Sequence, residues 1–298
     1  MVTQEQIEIW RKAGKIASEI KKYARGLIKQ GALIIEIADK IENRIYKYAK
    51  PSFPVNISIN EKAAHYTPLH DDKTRLGEDL VKVDLGVEID GFPTDTAFTI
   101  DLTPSSKYKK MLEATKKALQ EAIKLATPGR KVCEIGRKVQ ETITAAGFSP
   151  IRNLSGHEIQ QYKLHAGLSI PNYDNGNETE LKEGMVIALE PFATTGEGLV
   201  KDGKESGDFS LIKKKPVRDT YARQVLDYIE KEYSTLPFAG RWIYKKFGLR
   251  GMNSLRMLCK YGIVKNYKEL IEVGKQPVAH FEQTILVKEE PEVITDQS

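Results

Sequence analysis

Apolar residues recur with the period of an α-helix from the start of the chain. Ile9, Ala13, Ile16, Ile20, Ala24 and Leu27 fall on one face and predict an amphipathic helix over 3–29. Thr3 and Gln6 have the spacing of a capping box at its start, and Gly31 marks its end. A second helix is predicted over 34–48, with Ile34, Ile37, Ala38, Ile41 and Ile45 inward. The pattern then changes. Residues 53–59 read as a strand opened by Phe53-Pro54, 60–68 as a short strand or loop, and His70, Asp71 and Asp72 as a polar loop. Lys82 to Thr99 reads as two strands joined by Asp90-Gly91, a strong hairpin signal. Helical spacing returns after Ser105 through Met111, Leu112, Ala118, Leu119, Ala122 and Leu125. It breaks at Thr127-Pro128-Gly129, resumes from Val132 to Ala146 and stops at Gly147.

The two helical regions are related. Residues 31–41 align with 129–139, and Gly31/Gly129, Glu36/Glu134, Ile37/Ile135 and Lys40/Lys138 are identical. Each copy follows a long helix and precedes strands, so the chain reads as two α-α-β halves related by pseudo-twofold symmetry.

In the second half, 171–179 is turn-rich and Met185 to Phe192 is a buried strand ending on Glu190. The Gly- and Lys-rich stretch 196–208 reads as a loop. A helix is predicted over 217–233 and two shorter ones over 238–247 and 254–261, the last capped by Asn253. An extended piece follows at 261–264. Together these resemble a small winged-helix-like insertion. The strand pattern resumes over 278–287, and 290–298 reads as a polar tail. The division expected is a catalytic unit of 1–195 and 271–298, with 196–270 as an inserted helical subdomain.

Composition narrows the class. The chain has 298 residues, 40% of them hydrophobic, enough for a substantial core. No apolar run approaches the roughly 20 residues that span a bilayer. Met1 to Glu8 is polar, so neither a signal peptide nor a membrane anchor is expected. Cys133 and Cys259 are the only cysteines, which fits a reducing cytoplasm. The net charge of +5 is mild, with local excess at Lys213–Lys215 and Lys245–Lys246, where a basic patch could meet RNA or simply solubilise a loop.

The hairpin carries the first candidate chemistry. A two-residue turn pairs Ile89 with Phe92, which sets Asp84 opposite Ala97 and Asp95 opposite Gly86. Asp84 and Asp95 then share a face as diagonal neighbours, about 7–8 Å apart. Two readings stay open for the hairpin alone, a metal site and a solvated face. Two further strand carboxylates change the balance. Glu190 alone could be a salt-bridge partner, and Glu282 an exposed alternating position. Four carboxylates on core strands are costly unless paired or bound. With one histidine they make a donor set suited to two divalent ions such as Mn, Fe, Co or Zn.

The motifs Ala63-Ala64-His65-Tyr66-Thr67-Pro68, Val83-Asp84-Leu85-Gly86, Thr94-Asp95-Thr96-Ala97, Gly156-His157, Leu164-His165-Ala166-Gly167, Leu189-Glu190-Pro191-Phe192 and Phe281-Glu282-Gln283-Thr284 resemble, in order, those of the type II methionine aminopeptidases. The resemblance runs from about residue 3 to 289, and the insertion between Glu190 and Glu282 is the type II mark. The short N-terminus, with no polybasic extension, looks archaeal. The resemblance implies an α+β pita-bread fold, two pseudo-symmetric halves around a curved antiparallel sheet. It implies metal-dependent removal of N-terminal methionine before a small second residue, by a cytoplasmic monomer acting on nascent chains with transient ribosome contact. Asp84, Asp95, His157, Glu190 and Glu282 match the ligands of two divalent metal ions. Asp84 would bind one ion only, Asp95 and Glu282 would bridge, and His157 and Glu190 would complete the second site. His65 and His165 match two non-ligand histidines, His165 near the scissile carbonyl and His65 near the substrate nitrogen or departing peptide. Glu190 would shuttle the proton, and Phe53 and Leu164 would wall the pocket. His280 shares a strand face with Glu282, but the family pattern places no ligand there. Two rivals share the fold: an Xaa-Pro dipeptidase or aminopeptidase, and a ribosome- or RNA-binding relative without peptidase activity.

Overall fold

Helix α1 (Gln4–Arg25) starts at the predicted cap. The Thr3 hydroxyl accepts from the Gln6 N–H, and the Gln6 side chain accepts from the Thr3 N–H. It ends earlier than the apolar spacing suggests. Gly26, a poor helix former, caps it, and the turns that follow bury Ile28. The computed structural model describes residues 2–295. Helix α2 (Ile34–Ile45) packs beside α1, and both lie against an antiparallel sheet of Asn56–Ile59, Leu80–Leu85 and Thr96–Asp101. The strand expected over 53–59 begins only at Asn56, after Pro54, which has no N–H to offer a ladder.

The hairpin has the predicted register. Ile89 faces Phe92 and Asp84 faces Ala97. Asp90 and Gly91 both have positive φ, 53° and 80°, as a two-residue turn of matching twist requires. The ladder is interrupted at Gly86, which lies between the strands Leu80–Leu85 and Val87–Ile89. A β-carbon there would sit 2.0 Å from the Thr94 carbonyl oxygen and 2.8 Å from the Phe53 ring. Gly86→Ala is therefore expected to destabilise the fold by about 3 kcal/mol. Denaturant unfolding of the metal-free protein measures this directly, and an unshifted midpoint would refute it.

The second half repeats the first. Helix α3 (Lys109–Lys124) packs on the strands Phe192–Thr194, Val278–His280 and Val186–Leu189, and α4 (Val132–Ala145) on Ser169–Pro171 and Ser149–Pro150. The repeat extends to individual hydrogen bonds. The Gly31 N–H donates to Leu76, Leu76 donates back to Ala32, and Ile34 donates to Thr74. Equivalently, Gly129 donates to Leu181, Leu181 to Arg130, and Val132 to Thr179. The halves join edge to edge. Ala97 and Glu282 exchange backbone hydrogen bonds of 3.3 and 3.1 Å, and the Thr99 hydroxyl bonds both the His280 carbonyl and its N–H. The result is one curved antiparallel surface with α1–α4 on its outer side. A single apolar cluster runs through both halves, including Ile20, Ile41, Val83, Phe98, Ala118, Ile135, Ile187 and Ile285. Each of the Ile, Val and Phe side chains among these contributes about 1.5–3 kcal/mol on burial.

The stretch expected as a loop over 196–208 is mostly strand. Val200–Leu211 is 12 residues long and pairs with Val264–Glu272, which pairs in turn with Lys62–Ala64 of the first half. Register shifts between Asp202 and Phe209 accommodate the glycines, and the lysines point outward. Of the extended piece expected at 261–264, residues 261–263 turn out of α6 and only Val264 is strand, the first residue of Val264–Glu272. Helix α5 (Thr220–Tyr233) is capped by the Asp219 carboxylate. The two short helices expected next form α6 (Gly240–Lys260), kinked at Gly248, which takes a left-handed φ of 59°. Asn253 lies inside α6 and accepts from Arg256, so it caps nothing.

Two long strands expected near the site are each broken. Val186–Leu189 is separated from Phe192–Thr194 by Glu190-Pro191, and Val278–His280 from Gln283–Leu286 by Phe281-Glu282. The expected polar tail is partly structural. Glu292–Val293 pairs with the Gln283–Leu286 strand, Arg11 bonds Glu292 at 2.7 Å, and Ile294 and Thr295 are buried. Residues 296–298 of that tail lie outside the described residues. Among the described residues, no helix is long and apolar enough to cross a membrane.

Candidate metal centre and substrate pocket

Strand register gathers the candidate ligands. Residues directly opposed in an antiparallel sheet share a face. Asn56, Asp84 and Ala97 are opposed across successive strands, and Ala97 is bridged to Glu282. Asp95 precedes Ala97 by two positions. In the second half His157, Ala188 and Thr284 form the matching row. Alternation carries the same face to Glu190, two beyond Ala188, and to Glu282, two before Thr284. The small side chains of Ala97 and Ala188 occupy the middle of the two rows.

All five candidates line one cavity, together with Phe53, His65, Leu164 and His165. His157 Nε2 lies 3.4 Å from Asp95 Oδ2 and 3.5 Å from Glu190 Oε1. Donor atoms of Asp95, His157 and Glu282 all fall within 4.8 Å of one another. The backbone around Asp95 is fixed: its N–H donates to the Thr284 hydroxyl at 2.8 Å, and that hydroxyl donates back to the Asp95 carbonyl at 2.7 Å.

The electrostatics call for a cation. Asp84, Glu190 and Glu282 are held well above the ordinary carboxyl range, first by burial and then by the charges of their neighbours, Asp95 above all. Burial also pushes Asp95 up to about 7. Asp84 Oδ1 and Asp95 Oδ1 are buried with no hydrogen-bond partner among the described residues. Four buried oxygen donors with one imidazole, two of their oxygens unpaired, fit a divalent metal.

A pH dependence follows. Between the ordinary value of 3.8 and about 7, the folded metal-free chain keeps a proton on Asp95 that the unfolded chain has lost. Its stability therefore falls as pH rises through that window. A bound divalent ion removes the penalty. The gain in melting temperature on adding Mn²⁺ or Co²⁺ is expected to be small near about pH 5 and several degrees larger near about pH 7.5. Calorimetry with and without chelator tests this, and a gain independent of pH would contradict it.

His65, His157 and His165 are neutral at pH 7. Burial lowers His157 and His65 to about 4, and His165 to about 3. His165 lies beside His157 with ring centroids 4.2 Å apart. His65 follows the strand Lys62–Ala64 with a left-handed φ of 63°, and its ring meets Tyr267 edge-on at 5.4 Å. Phe53 and Leu164 are buried in one apolar cluster with Leu236. His280 is also in the cavity, stacked on Phe192 at 3.9 Å and 3.6 Å from Glu282.

Sequence reasoning missed Asn56, Asp208, Pro237 and Tyr267, which line the same cavity. Asp208 sits in the strand that looked like a loop. The signal was available in the alternation Asp208-Phe209-Ser210-Leu211.

The chain matches the pattern of metallopeptidase family M24 over residues 8–289. The chain belongs to metallopeptidase family M24. Methionine aminopeptidase of Methanothermobacter thermautotrophicus is 42% identical over 96% of this chain and 97% of that one. Methionine aminopeptidase of Thermococcus onnurineus is 46% identical over 95% of this chain and 97% of that one. These identities group the chain with the methionine aminopeptidases of the M24 family. Among solved structures, a thermophilic Arx1 superposes with a TM-score of 0.86 at 17% identity, over 99% of this chain and 91% of that one. At that identity the likeness speaks to the fold alone. The protein is thus an M24 metallopeptidase of pita-bread fold, a family that works with divalent metal ions.

Proposed function

We propose that the protein removes the N-terminal methionine from peptides and nascent proteins whose second residue is small. Asp84, Asp95, His157, Glu190 and Glu282 would hold two divalent ions. The observation that carries this reading is the convergence of these five residues, from both halves of the fold, beside a buried apolar wall. A bound divalent ion supplies Lewis acidity, lowering the pKa of water and polarising a carbonyl.

The chain's own residues do the rest. Glu190 takes a proton from the attacking water and delivers it to the leaving amine. His165 donates a hydrogen bond to the carbonyl oxygen as negative charge develops there. Neutral His65 orients the substrate nitrogen or the departing peptide. Phe53 and Leu164 wall a slim pocket for the methionine side chain. A hydrophobic pocket separates side chains differing by one methylene by only about 1–3 kcal/mol, so preference for methionine over similar slim residues is modest.

Residues 196–270 act as an inserted unit on the catalytic body 1–195 and 271–298. The protein works as a cytoplasmic monomer, near the ribosome where new N-termini appear. Lys214 and Lys245 already pair with Glu230 and Asp39. All of these lysines are exposed, and Lys213 and Lys215 are the better candidates for RNA contact.

Hydrolysis of Met-Gly and Xaa-Pro peptides, with metal added back to chelated protein, tests the reading. Cleavage of Met-Gly is expected; cleavage of Xaa-Pro alone would reassign the enzyme to the dipeptidase branch of its fold.

A further inference from the structure

Two buried oxygens in the pocket have no use in the metal centre. Asp208 is 4% exposed and Asn56 3%, and the Oδ1 of each has no hydrogen-bond partner among the described residues. Both line the cavity. Backbone register fixes their place. Asn56 lies directly across from Asp84, on the side away from Glu282. Asp208 is opposed to Ala239, and so shares a face with Pro237 two residues earlier. Burial holds the Asp208 carboxyl well above its ordinary range and the Asn56 side chain offsets this only in part; a carboxyl oxygen still accepts in either form. The neighbouring wall is apolar: Phe53, Leu164 and Leu236. A pocket for a thioether alone needs no carboxylate, and buried acceptors are costly unless a donor reaches them.

We propose that Asp208, with Asn56, determines specificity by accepting hydrogen bonds from the tip of the N-terminal side chain. The pocket then takes an unbranched side chain ending in a primary amide, that of glutamine, as well as a thioether. This rests on reading the cavity as the pocket for the N-terminal residue. Glutamine matches methionine in length, and its amide nitrogen offers two N–H donors to two waiting oxygens. Methionine and its all-carbon isostere norleucine offer none and leave both oxygens to water.

The test compares kcat/KM for Met-Gly-Gly, norleucine-Gly-Gly and Gln-Gly-Gly on metal-loaded wild type, Asp208→Leu and Asp208→Asn. The wild type is expected to cleave all three. The glutamine-to-norleucine ratio should fall at least about tenfold in Asp208→Leu and by less in Asp208→Asn, which keeps one acceptor oxygen. Each ratio is taken within one protein, so differences in folding or metal loading cancel. A ratio unchanged in Asp208→Leu, or a wild type inert toward the glutamine peptide, overturns the proposal. Loss of Met-Gly-Gly cleavage in the wild type would instead overturn the underlying function. For a variant without measurable hydrolysis, calorimetry with glutamine amide and norleucine amide decides. A preference for the former in the wild type that disappears in the variant supports the proposal, and equal preference in both overturns it.

Discussion

Glu282→Gln is expected to raise the melting temperature of the metal-free protein while abolishing hydrolysis. Glu282 is 2% exposed and shares its cavity with four other carboxylates, three of them candidate ligands. Burial and the charges of Asp95, Glu190 and Asp84 all oppose its ionisation. Replacing it with a neutral isostere removes that repulsion, a gain of about 1–3 kcal/mol and a few degrees without metal. The same change takes away one of the oxygen donors proposed to hold the metal. Metal retention should fail, and kcat/KM should drop by about a thousandfold or more. The two effects have opposite signs, which separates a ligand from a structural glutamate. Melting in chelator and metal content after dialysis are the measurements. A variant that is less stable without metal, or that retains metal and activity, would remove Glu282 from the site. His157→Ala should likewise lose metal and activity.

Arg241→Met is expected to destabilise the protein by about 3–5 kcal/mol and to weaken peptide hydrolysis from outside the metal centre. Arg241 is fully buried at the start of α6. Its guanidinium bonds Glu42 of α2, the Thr67 hydroxyl and the Pro68 carbonyl, with Asp39 3.4 Å away. Glu42 also accepts from Trp242 Nε1 at 2.7 Å and from the Val55 N–H at 3.0 Å. This buried knot ties the insertion to the first half beside Pro237 and Asp208. Removing the cation leaves the Glu42 carboxylate buried without its charge partner. Removing both charges should hurt less, so Glu42→Leu with Arg241→Met is expected to recover part of the loss. Denaturant unfolding of the two single variants and the double tests this. A double variant as unstable as the sum of the singles would refute the coupling.

Much of the catalytic unit is legible in the sequence because its signals are local. The Thr3 capping box, the Asp90-Gly91 turn and the helical spacing in α1–α4 each depend on a few neighbouring residues. The turn then propagates: once Ile89 faces Phe92, every pair back to Asp84 and Ala97 follows. Internal repetition supplied the two-half architecture, since both copies must close the same hydrogen bonds before their second helix.

The insertion was less legible for the opposite reason. Val200–Leu211 pairs with Val264–Glu272, and that strand with Lys62–Ala64, so what makes it a strand lies far away in the chain. Strand preference depends on such partners more than on composition, and Gly and Lys at exposed positions hide it. Asp208 was overlooked with its strand, and Asn56 because nothing nearby marks it as facing Asp84.

The sequence by itself determined the helices of both halves, the hairpin register that sets Asp84 beside Asp95, and which four carboxylates were the candidates. Only the tertiary structure decided that Ala97 pairs with Glu282 and His157 with Ala188, bringing the candidate ligands of both halves to one cavity, and that Asp208 and Asn56 line it. Local periodicity fixes which face a side chain takes; which faces meet depends on pairings between distant strands, which no local pattern encodes.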